Sequence, residues 1–167
     1  MTTISDLYQA GIDAIVANNT INMNGFENAI EAVVPGISNA ESDAWVNALL
    51  MEYLRLGLGN GNYTNLRSGI ISDPIAARAL FDALAVSING LPESVPLNNA
   101  AILFFLREDR DQVNAAITRC DDLIAAEPSG TVGRLVTDVL RDGKLQLRKY
   151  KQQIRDQIQN ITGDSDS

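Results

Sequence analysis

The sequence predicts an all-α fold, and three observations lead there. Apolar residues recur at helical steps of three and four along most of the chain, and alternating β-branched runs are absent. Helix punctuation is also frequent: Ser38-Asn-Ala-Glu41 has capping-box spacing, Asp73-Pro74 opens a helix, and Pro35-Gly36 and Asn89-Gly90 close two others. With 167 residues the chain is long enough to bury a real core. The expectation is a single-domain bundle of about seven to nine helices. Residues 1–142 form the helical core domain in this reading. Residues 143–162 form a basic amphipathic helix that projects or docks loosely, and 163–167 form a disordered acidic tail.

Each element has its own signal. Ser5 caps a first helix whose stripe is Leu7, Ile12, Ile15 and Val16. The stretch Asn18 to Gly25 has turn chemistry, because asparagine competes with the helix backbone. Phe26, Ile30, Val33 and Val34 make a short second helix. The third, starting at Ser38, presents Trp45, Val46, Leu49, Leu50, Tyr53, Leu54 and Leu56. Gly57 to Asn62 is glycine-rich but lacks the Gly-Lys-Ser/Thr ending of a phosphate loop and follows a helix, so it reads as a connector. Tyr63 to Ile71 holds a short helix. Leu80, Phe81, Leu84, Ala85 and Ile88 carry the stripe of the next, and Leu91 to Leu97, with two prolines, is a loop.

Asn98 to Leu140 is the most patterned stretch. Ala100 to Leu106 is the longest apolar run and is expected at the centre of the core. Arg107 to Asp111 is too charged to bury and reads as a solvated turn. Val113, Ala116, Ile117, Cys120, Leu123 and Ile124 then form one helix face, and Val132 to Leu140 another after Glu127-Pro128-Ser129-Gly130. Ala116, Cys120 and Pro128 stand where a tetratricopeptide hairpin places a small residue, a bulky one and its closing proline. Residues 114–128 thus resemble the second helix of such a repeat, which implies a TPR-like central hairpin and a protein-binding helical scaffold.

Composition removes much chemistry. Histidine is absent, so no Ser-His or Cys-His nucleophile and no His-ligated zinc or haem exists. One cysteine, Cys120, forms no internal disulfide or thiolate cluster, and its place on the inward stripe makes it a structural thiol. Asp109 with Asp111, and Asp121 with Asp122, read as solvated acids. No cofactor, metal or small-molecule substrate is expected, and no enzyme. The N-terminus has no basic and apolar leader pattern, and no apolar run approaches bilayer length. A location in the cytoplasm or in an assembled virion particle, without secretion by a signal peptide, follows as an expectation.

Charge is polarised. Up to Leu54 there are seven acids (Asp6, Asp13, Glu27, Glu31, Glu41, Asp43, Glu52) and no lysine or arginine. Between Arg141 and Arg155 six bases face only Asp142. Leu147, Tyr150, Ile154, Ile158 and Ile161 follow a narrow coiled-coil-like seam along the same segment. The expected partner-binding residues are Arg141, Lys144, Arg148, Lys149, Tyr150, Lys151, Ile154, Arg155 and Ile158. The expected function is protein–protein interaction or homo-oligomeric assembly, for instance as a structural subunit of a viral or phage particle. An adaptor that offers a groove to a peptide, and nucleic-acid binding through the basic helix, are the alternatives. Membrane binding ranks lowest, since the seam lacks Trp or Phe anchors.

Overall fold

α3 (Asn39–Leu58) contributes to both apolar cores of the bundle and packs on α1, α2, α4 and α6. In the computed structural model, residues 2–18, 20–59, 63–85 and 99–163 are described. They form an all-α multi-helix bundle of seven helices, with no strand among the described residues: α1 (Ile4–Asn18), α2 (Met23–Val33), α3, α4 (Tyr63–Ser72), α5 (Pro74–Asp82), α6 (Asn99–Ala126) and α7 (Thr131–Thr162). One face of α3, with Trp45 and Leu49, joins Ile4, Ile15, Phe26 and Ile30 in a small N-terminal core. Its other face, with Leu50, Met51, Leu54 and Leu58, joins the main core built by α4 to α7. A helix buried on nearly all sides is therefore α3, rather than the run Ala100 to Leu106.

The helix starts follow local hydrogen bonding. Ser38 Oγ accepts from the Glu41 amide at 3.2 Å, and Asp73 Oδ1 accepts from the Ala76 amide at 3.1 Å with Pro74 behind it, as the sequence predicts. α1 is capped by Thr3 instead of Ser5. Thr3 Oγ1 accepts from the Asp6 amide at 3.2 Å while Asp6 Oδ2 accepts from the Thr3 amide at 3.0 Å, a reciprocal pair that Ser5 cannot make from inside the helix. α2 starts within the asparagine-rich turn, because Asn22 Oδ1 accepts from the Gly25 amide at 2.9 Å. Regular helix in α5 ends at Asp82, and Ile88, Asn89-Gly90 and Leu91 to Leu97 lie outside the described residues.

The largest departures are in the last two helices. Arg107 to Asp111 is no turn: α6 runs unbroken through it. Only part of that segment must be solvated, since the helix turns Arg107 and Glu108 outward while Val113 and Leu106 go into the core. Phe104 is 60% exposed, so the apolar run is half at the surface. The joint Glu127–Gly130 is where the sequence places it. There the backbones come very close: a Cβ on Gly133 would lie 1.8 Å from the Pro128 carbonyl oxygen, so only glycine permits this return. α6 and α7 form one antiparallel hairpin, but with 28 and 32 residues each helix is nearly as long as a whole tetratricopeptide unit of roughly 34.

Gly143 reads as a stop, yet α7 passes straight over it. The boundary at 142/143 thus lies inside a helix. The reason is packing. A Cβ at Gly143 would sit 2.7 Å from three atoms of the Phe81 ring, so α5 lays its fully buried phenylalanine directly on the α7 backbone. Beyond that notch Leu147, Tyr150, Ile154 and Ile158 are all at most 1% exposed. The seam expected to project or to dock loosely lies within the main core. Long-range polar bonds brace the bundle: Arg67 grips Glu127 through Nη2–Oε1 at 2.6 Å and Nε–Oε1 at 3.0 Å, Arg78 Nε meets Asp142 of α7 at 2.8 Å, and Arg119 Nε donates to the Leu58 carbonyl at 2.7 Å.

Gly143→Ala tests the notch. Alanine gains about 1 kcal/mol of helix propensity, but overpacking against an immobile ring costs about 1–3 kcal/mol. We expect a net loss of about 1–2 kcal/mol in urea unfolding, largely recovered when Phe81→Leu is added.

Candidate functional site: a basic stripe on α7

On a helix, residues seven apart return to within about 20° of one another. Arg134, Arg141, Arg148 and Arg155 stand at that interval, and Lys144 and Lys151 flank them three residues beyond Arg141 and Arg148. The stripe lies roughly 120° round the helix from the buried seam and extends about 32 Å at 1.5 Å per residue. The two faces therefore sort the nine residues singled out from sequence. Tyr150, Ile154 and Ile158 are core residues without access to a partner. Arg141, Arg148 and Lys149 are exposed, and Lys144, Lys151 and Arg155 are half-buried at the edges of the face.

Local pairing of these bases is thin. Lys144 Nζ meets Asp121 Oδ1 of α6 at 2.5 Å, and Arg141 Nη1 stands 3.9 Å from Asp138 one turn earlier. Arg134, Arg148, Lys149, Lys151 and Arg155 make no ion pair within the described residues. Arg141, Lys144 and Arg148 line an open groove of about 360 Å³ with Asp121, Ile124 and Leu145. Leu145 is 53% exposed, a large apolar side chain set among three cations. A second groove of about 290 Å³ continues past Ile124 and Arg141 to Arg134 and the Glu127–Gly130 joint. Arg134, Leu145, Ile124 and Asp121 are missing from the sequence-based set. The seven-residue arginine interval was available to find Arg134; the partners on α6 follow only from the hairpin register.

The structure also gathers a polar cluster inside the bundle. Asp109, expected in a solvated turn, lies on α6 near Glu52 of α3, with Tyr8 and Tyr150 in the same electrostatic neighbourhood. Burial, then Glu52 and Glu108, pushes the Asp109 carboxyl up to about 7. Glu52 keeps its charge partner, Arg55 Nη2 at 2.6 Å. Burial raises the phenols of Tyr8 and Tyr150 as well, with Asp109 adding to both. Tyr8 meets Trp45 edge-on with ring centroids 5.5 Å apart. The cluster lines none of the open grooves described here, and among the described residues no group of three acids or thiols has the arrangement of a metal site.

No protein family, curated protein or solved structure matches the chain.

The Asp109 shift fixes the sign of a pH effect. Its folded pKa lies above the unfolded carboxylate value, so its contribution is full below about pH 4 and is lost as pH rises toward 7. Asp109→Asn should remove this slope. Its unfolding free energy from urea titration should exceed that of the wild type at pH 8, by about 1–2 kcal/mol after allowance for partial solvent access, and approach it at pH 4. Equal slopes from pH 4 to 8 in both proteins would contradict the assignment. Within the seam, Ile154→Ala should cost about 2–4 kcal/mol in the same assay, the loss expected for a fully buried isoleucine.

Proposed function

We propose that this protein is an assembly or interaction subunit that contacts copies of itself, or another protein, through its acidic N-terminal region and the basic face of α7. The observation that carries the reading is the spatial separation of charge. α1 and α2 and the first half of α3 bear no lysine or arginine, and Asp6, Asp13 and Glu31 are exposed there. The stripe on α7 leaves Arg134, Arg148, Lys151 and Arg155 without an ion pair in the described residues. Such surfaces favour protein association by complementarity. A structural role in a larger particle, including a viral or phage one, fits this use of surface in place of a site. Nucleic acid is the weaker partner, because a net charge of −8 repels the phosphate backbone everywhere but at the stripe.

A second reading rests on a different groove. Tyr53, Leu66, Ile70, Ala77 and Leu80 line an open depression of about 400 Å³ between α3, α4 and α5, with Asn65 and Asp73 at its margin. An adaptor that holds a peptide would use such a mixed surface. No helix among the described residues is long and apolar enough to cross a membrane.

Static light scattering over a concentration and salt series separates these readings. Self-assembly predicts a mass above 18.1 kDa that falls as salt screens exposed charge pairs. A monomer at every concentration and salt level would refute self-assembly. Point reversals should be used in place of tail deletion, because removing residues 143–162 also removes Leu147, Tyr150, Ile154 and Ile158 from the core.

A further inference from the structure

We propose that the basic groove between α6 and α7 receives the outer face of α1 from a second copy of the chain, in a head-to-tail contact. This rests on the assembly reading above and specifies its surfaces. The match is one of spacing, charge and shape together. On α7 the face reads Arg141, Leu145, Arg148, at i, i+4 and i+7. On α1 the exposed face reads Asp6, Ala10, Asp13, at the same i, i+4 and i+7. Either set spans about 10 Å along its helix. Two arginines flank an exposed leucine in one case; two aspartates flank an exposed alanine in the other.

The apolar members are complementary in form. Leu145 stands out from the basic face, whereas Ala10 lies at the lip of a hollow of about 280 Å³ between α1 and α2, lined by Leu7, Ala14, Phe26 and Leu49. A small residue allows close helix approach, and the hollow offers apolar contact to a protruding side chain. With Leu145 over Ala10, Arg141 and Arg148 reach Asp6 and Asp13 in a parallel register. Val16, which is 66% exposed, lies one turn beyond Asp13 and widens the apolar part of the contact. The acids on the receiving side do not oppose this. Asp121 is already engaged with Lys144, and Asp138 reaches Arg141 only at 3.9 Å, so that pair can exchange.

One molecule cannot satisfy both faces itself. α1 packs on α2 and α3, whereas α7 packs on α6, α5 and α4. The two surfaces differ, so each copy keeps one free face after the first contact. Such a contact is heterologous and adds subunits until a ring closes or a filament forms.

The test is a charge swap measured by sedimentation velocity at about 0.1 M salt, where pairs in contact are not screened out. Arg141→Glu with Arg148→Glu should weaken association about tenfold or more, and Asp6→Arg with Asp13→Arg should do the same. An equimolar mixture of the two double variants should regain it. Asp6 also closes the cap of α1, so circular dichroism accompanies each variant, and Asp13→Arg alone should still weaken association measurably. If the wild type associates but the reversals have no effect, or the mixture stays monomeric, this pairing is overturned while the assembly reading stands. A wild type that never associates overturns both. Loss of retention on a DNA column in the arginine variant, with self-association unchanged, would reassign the groove to nucleic acid and overturn the pairing.

Discussion

Burial of one apolar seam on α7 holds the main core in place. Val136, Val139, Leu140, Leu147, Tyr150, Ile154 and Ile158 are all at or near zero exposure, in a core shared with residues of α3 to α6, and α7 packs directly on α4, α5 and α6. Each such side chain removed from water contributes about 1.5–3 kcal/mol, an amount no surface ion pair on this protein approaches. Because the seam occupies one side of α7, the directions of the helix's other faces are fixed by geometry. The arginine stripe is a consequence of that arrangement: the core determines where the charge points.

α3 plays the corresponding role for the N-terminal half. It is shared by two cores and so ties the small cluster of α1 and α2 to the larger one, with Ile21 and Met23 also packed against the main core. That tie is reinforced at its C-terminal end, where Arg119 of α6 satisfies the Leu58 carbonyl. A helix end leaves carbonyls without intrahelical partners, and a guanidinium placed there supplies both a donor and a charge of the favourable sign. Glu127 does similar service at the α6–α7 joint: its nearly buried carboxylate is held by two nitrogens of Arg67 from α4. These two contacts fall at a helix end and a joint, where the apolar core has least to offer, whereas Arg78–Asp142 and Lys144–Asp121 link helix interiors.

Much of this was legible in the sequence because helices announce themselves locally. Ser38, Asp73-Pro74 and Glu127–Gly130 act through hydrogen bonds or sterics within a few residues, and they mark the boundaries expected of them. The errors came where a local signal met a tertiary one. Arg107 to Asp111 looks like a turn by charge density, but helical geometry sends alternate charges to opposite sides. Gly143 looks like a stop, yet its meaning lies 62 positions away in Phe81. Asp109 looks solvated, but burial in the bundle, followed by the charge of Glu52 on α3, raises its carboxyl. The candidate site divided along the same line. Its charged members were legible from composition, whereas Tyr150, Ile154 and Ile158 belong to the opposite face, a distinction that depends on knowing which neighbours α7 meets.

The inward position of Cys120 has a practical side. The thiol has no solvent exposure, and burial followed by the neighbouring Asp121 pushes its pKa up to about 12. At pH 8 the group stays the unreactive thiol. Consumption of a thiol reagent by the native chain therefore reports the opening of the main core around this one position. The same silence leaves the outer surface blank, so a cysteine introduced on any solvent-facing helix would carry a spectroscopic label without competition.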